Sequence, residues 1–186
     1  MTDFSTLKYE GPMKSKPPLT IDDETALWLM RMCVGEGGRS CFRTKASALL
    51  WAIVNRWFLW PGARYYPTFI LMMRSFSQPI NPRWMAGGDL ARKYIGRQEA
   101  SAVRLARRAE VCALRWDQIS WTIRDTVSDM ADCELESTLC FRASNWASLP
   151  STPGKFPNGE MIGGDWFFED SNLRDGKVVY CKPGGK

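Results

Sequence analysis

Glu36 is a carboxylic acid in a place where carboxylates are not usually found. The apolar residues Ala26, Leu29, Met30 and Cys33 recur at i, i+3, i+4 and i+7, the period of a helix with one buried face. At about 100° per residue from Ala26, Leu29 falls near about 300° and Glu36 near about 280°, on the edge of that buried stripe. The same residue falls at the end of the helix, where unpaired carbonyls make the surroundings negative. Both effects disfavour the ionised form, so a raised pKa is expected. A carboxylic acid kept protonated near neutral pH can protonate the oxygen of a leaving sugar, the first step of glycosidic cleavage. The flanking Gly35, Gly37 and Gly38 would let a substrate approach the backbone. A plainer reading competes: a Gly-rich helix end with a solvated Glu beside it.

Composition narrows the chemistry. The chain has 186 residues and no histidine, which removes Ser-His-Asp and Cys-His triads, His-ligated metals and the commonest general base. Carboxylates, thiols, hydroxyls and lysines remain. Six cysteines show no C-x-x-C spacing, so a zinc knuckle or a thioredoxin-type redox site is not expected, and no metal or cofactor is called for. Apolar residues make up 45% and charged residues 24%, the composition of one folded domain. The nine Trp offer flat faces that suit cores, interfaces and sugar rings alike. A net charge of +5 favours anionic partners, the bacterial wall among them. There is no run of about eighteen apolar residues to cross a membrane, and no signal segment is expected before the domain.

Residues 1–20, with Pro12, Pro17 and Pro18, form an extended arm without packed structure of its own. A helix capped by Asp22 or Thr20 runs to Gly35-Glu36-Gly37-Gly38, and a second spans about Thr44 to Trp60 with Leu49, Leu50, Ile53 and Trp57 on a wide face. A third starts at Pro67 and ends after Phe76. The longest helical pattern runs from about Arg97 to Ile119, with Arg97, Arg104, Arg108 and Arg115 in one stripe. A more acidic helix follows over Trp121 to Thr138. Pro and Gly then mark loops, with a short strand at Lys177 to Tyr180. The fold class is α+β, predominantly α-helical, with a loop-rich C-terminal quarter.

Within this frame, Val34-Gly35-Glu36-Gly37-Gly38-Arg39 followed by Ala52-Ile53-Val54-Asn55-Arg56 resembles the core motif of the cell wall hydrolases related to the spore-cortex-lytic enzyme. In that family a helix ending in a Glu- and Gly-bearing segment precedes a V-x-N-R helix by about twenty residues. Phe76-Ser77-Gln78 falls where the family has Q-F-S. Ala143-Ser144-Asn145-Trp146 and Ile162-Gly163-Gly164-Asp165-Trp166 fall where it has A-T-x-Y and i-G-x-H-x-F-Y. Asp165-Trp166 replaces the late His, and residues 85–140 are longer and more basic than the family pattern. The resemblance implies a lysozyme-like domain over residues 21–186. It also implies cleavage of peptidoglycan glycan strands between N-acetylmuramic acid and N-acetylglucosamine, by a lytic transglycosylase or muramidase with Glu36 as the acid. In a transglycosylase one carboxyl suffices, because it protonates the leaving oxygen and then takes a proton from the sugar's own primary hydroxyl.

The other candidates each have two readings. Asn55 bonds substrate or the Glu36 loop, or ties two helices together; Phe76, Ser77 and Gln78 line a glycan groove, or serve core and turn. Trp146 and Trp166 are sugar-stacking candidates, whereas Trp51 and Trp57 belong to the core. Asp165 or Glu169 is a candidate second carboxylate that would make the enzyme a hydrolase. The Arg stripe is a solvated face, or binds the anionic wall or other virion proteins, with no specific nucleic acid expected. Made in a host cytoplasm and acting on the wall, the protein fits a bacteriophage source, as an endolysin at lysis or a virion component at genome entry. The arm and the basic middle favour the virion. The alternative is a non-catalytic structural or adaptor virion protein that keeps the lysozyme-like fold.

Overall fold

A computed structural model describes residues 6–11, 17–58, 65–85, 87–93, 102–132, 134–135, 141–143, 159–169 and 177–181. Helices supply most of it, joined by two three-stranded antiparallel sheets. The α+β, mainly helical class is as the sequence predicts.

Helix α1 spans Asp23–Gly37. Asp22 caps it, its Oδ1 accepting from the Thr25 N–H at 2.8 Å, and Asp23 and Glu24 sit at the positive end of the dipole. It stops at Gly38, whose φ of 83° lies in the left-handed region and whose N–H donates to the Val34 carbonyl. Helix α2, Arg43–Phe58, is apolar on nearly every side because α1, two further helices and a sheet surround it. Trp51 and Trp57 are both buried in this core. Helix α3, Phe69–Phe76, starts after Thr68, whose Oγ1 accepts from Leu71 N–H; Pro67 therefore precedes the cap instead of filling the first turn. A short helix α4, Asp89–Lys93, follows two single 3-10 turns at Gln78–Ile80 and Pro82–Trp84.

The long basic helix is shorter than its sequence pattern. Helix α5 covers Ala102–Ala113, and the chain then turns through a 3-10 turn at Trp116–Gln118. Leu114 and Ile119 are both buried; five positions apart, they would stand about 140° apart on one continuous helix and could not both reach the core. The Gln118 side chain steadies the break by accepting from the Arg115 N–H at 2.8 Å. The stripe is broken too. Arg97 lies outside the described residues, Arg104 is exposed, and Arg115 lies past the helix end beside Asp117. Arg108 is only 8% exposed, with its guanidinium over the Trp84 ring and bonded to the Trp84 carbonyl. Helix α6, Trp121–Ala131, also ends early, because Leu135 folds back into the core while its N–H and that of Glu134 bond the Asp129 carbonyl.

The sheets depart most from the sequence reading. Strand β1, Thr6–Glu10, lies in what reads as a free arm, yet it pairs with β2, Leu19–Thr20, and along its whole length with β6, Lys177–Cys181. Leu7 is fully buried there. In the quarter that reads as loops, β3, Phe141–Ala143, β4, Gly159–Ile162, and β5, Asp165–Glu169, form a second sheet in the order β3-β5-β4. β1 is thus part of the fold, and Arg108 packs in the interior while Arg104 and Arg107 stay exposed.

Candidate functional site

Gly35 makes the site. A Cβ at this position would stand 2.5 Å from the Pro79 Cβ, so only a residue without a side chain lets Pro79 seat directly on α1. Pro79 belongs to the turn after α3, and seating it brings Ser77 against the end of α1. Ser77 Oγ then donates to Glu36 Oε1 at 2.7 Å. Gly37 is needed in the same way, since a Cβ there would stand 2.3 Å from the Cys41 Sγ. These two glycines admit protein and not substrate, contrary to the expectation; at Gly38 a Cβ would meet nothing within 4 Å.

The electrostatics follow from this packing. Burial pushes the Glu36 carboxyl above its ordinary value; the Ser77 hydrogen bond opposes the rise, Asp165 adds to it and Lys45 opposes it. Lys45 is the residue the sequence reading missed. Its side chain is 9% exposed; its Nζ donates to the Gly163 carbonyl at 2.7 Å and pairs with Asp165 Oδ2 at 2.8 Å. The signal was present: a lysine four residues before Leu49 falls on the apolar face of α2. Burial also raises the Cys41 thiol beside this cluster and raises Cys33 strongly, so both are neutral thiols.

Glu36, Ser77 and Asp165 are thus brought together, and other candidates are not. The Glu36 side chain bonds no described residue besides Ser77, and Asn55 is buried in α2, about 15 Å along the helix from Lys45. Phe76 is committed to packing, with the Arg56 guanidinium 4.0 Å from its ring centroid and Tyr66 edge-on at 5.8 Å. Gln78 is exposed at the start of its turn. Trp166 follows Asp165 in β5 and so faces the other side of the sheet, where its indole lies across Gly159 beside the exposed Met161. It is separated from the Glu36 cluster. Trp146 and the Glu169 side chain lie outside the described residues. Among the described residues, no three His, Cys, Asp or Glu side chains cluster to hold a metal ion.

The arrangement sets a carboxyl that burial raises above its ordinary value near a fixed Lys45–Asp165 ion pair. One carboxyl oxygen accepts from the Ser77 hydroxyl. A search of known families, curated proteins and solved structures finds no match to this chain.

Proposed function

We propose that the protein cleaves the glycan strand of peptidoglycan between N-acetylmuramic acid and N-acetylglucosamine, with Glu36 as the catalytic acid. The observation that carries the reading is the half-buried Glu36 carboxyl, raised above its ordinary value and held on one oxygen by Ser77. The motif resemblance through Glu36 and Asn55-Arg56 supports the same class of enzyme. Glu36 gives its proton to the glycosidic oxygen as the bond to the anomeric carbon breaks. The resulting carboxylate takes the proton back from the nucleophile. Asp165 is committed to Lys45, which favours Glu36 for both transfers and so a lytic transglycosylase using the sugar's primary hydroxyl over a muramidase using water.

Incubation of the purified protein with sacculi, followed by mass spectrometry of the soluble fragments, tests this. Fragments ending in anhydro-muramic acid are expected. Reducing ends would mean a muramidase, and intact glycan would leave the non-catalytic adaptor.

A further inference from the structure

About 140° around α1 from Glu36, a second site is built from cations. Arg31 of α1 and Arg74 of α3 both pack on the Trp28 indole, their guanidinium carbons 4.6 and 4.2 Å from its ring centroid. The two charges therefore stand within about 9 Å of each other, where they repel. Each is fixed by a single bond: Arg31 Nε donates to the Leu114 carbonyl at 3.0 Å, and Arg74 Nε donates to the Ile80 carbonyl at 3.3 Å. Both side chains are half-buried. Among the described residues, the Nη groups of both have no acceptor, and no carboxylate lies within ion-pair distance.

Other arginines among the described residues do have carboxylate partners. Arg39 pairs with Glu110, Arg43 with Asp125 and Asp129, Arg83 with Asp89, and Arg115 with Asp117. Burial lowers the Arg31 guanidinium from its ordinary value, the Cys112 thiol opposing and the Arg74 charge adding to the fall. Burial keeps Cys112 itself raised and neutral, so it does not supply the missing charge.

We propose that Arg31 and Arg74, set on Trp28 with their outer nitrogens free, bind a phosphate group. A carboxylate is satisfied by one guanidinium fork, whereas two forks from separate elements, carrying two positive charges, match a tetrahedral dianion. The group is either free phosphate or the monoester of a small organic phosphate. This site stands independently of the activity assigned to Glu36.

Isothermal titration of the full-length protein with inorganic phosphate and with glycerol phosphate, each against chloride at matched ionic strength, tests the proposal. Saturable binding of one equivalent is expected, and the tighter ligand identifies the source. Arg74→Lys keeps the charge and loses the fork, so it is expected to bind at least about tenfold more weakly. Arg74→Gln relieves the repulsion and is expected to match or exceed the wild-type melting temperature in chloride, while losing the rise that phosphate gives the wild type. In the wild-type protein, NMR signals of both guanidinium groups shift on adding phosphate. No saturable binding of either phosphate, or affinity of Arg74→Lys within twofold of wild type, would overturn the proposal.

Discussion

A carboxyl that donates a proton has to be neutral when substrate arrives, and the burial that raises the Glu36 carboxyl toward that form also sets its cost to the fold. The folded protein holds this proton more tightly than the unfolded chain does. The stability it contributes is therefore full below the ordinary carboxylate range and is lost as pH rises through the raised value. Glu36→Gln keeps the shape and the Ser77 bond, so it is expected to retain the fold and to lose this pH-dependent step in denaturant unfolding. Its lytic activity should fall by about 10² to 10⁴. Ser77→Ala gives a signed test of the same site. The hydroxyl favours the ionised carboxyl, so removing it raises Glu36 further, and the alkaline limb of the rate profile should move to higher pH. Carbon NMR of the Glu36 carboxyl in the free protein should move the same way; an unchanged titration would mean that Ser77 does not hold the acid.

The elements carry the placement. Gly35→Ala sets a methyl into Pro79, and the turn bearing Ser77 must yield; about 1–3 kcal/mol of stability and most of the activity should be lost together, measured by denaturant unfolding and by a sacculus assay. Lys45→Met removes the bonds that hold the β4–β5 turn to α2 and leaves Asp165 without its partner, at a cost of about 1–3 kcal/mol. The double change Lys45→Met with Asp165→Asn should recover part of that stability, since it removes both charges; no recovery would mean that the ion pair is not what fixes the turn. Where local chemistry decides an element, it is legible in sequence. Asp22 starts α1 and Gly38 ends it, and the apolar period between them places Glu36 at the edge of the buried face. Where the core decides, local pattern misleads: nothing in residues 102–119 breaks a helix, yet Leu114 and Ile119 both have to be buried. Ser77 is readable as a candidate, but its bond to Glu36 depends on Pro79 seating on Gly35, a contact between residues 44 positions apart.

At the scale of the whole molecule, β1 and β6 join residues from opposite ends of the sequence, a pairing that composition and periodicity cannot announce. The three prolines point to extended backbone, and strands are found at Thr6–Glu10 and Leu19–Thr20; what the prolines do not reveal is that Leu7 occupies a fully buried position. Leu7→Ala should therefore cost about 2–5 kcal/mol, seen as a lower denaturation midpoint, whereas a free arm would leave the midpoint unchanged. The buried residues of β1, α1, α2 and β5 form one cluster, so loss of helical signal and loss of activity should coincide in denaturant.

The central claim is that Glu36 is the proton donor in glycan cleavage, and the most direct measurement is mass spectrometry of the fragments released from purified sacculi by wild type and by folded Glu36→Gln. Muropeptides ending in anhydro-muramic acid are expected from the wild type and almost none from the variant. Clipped stem peptides on intact glycan, or equal release by the two proteins, would contradict it.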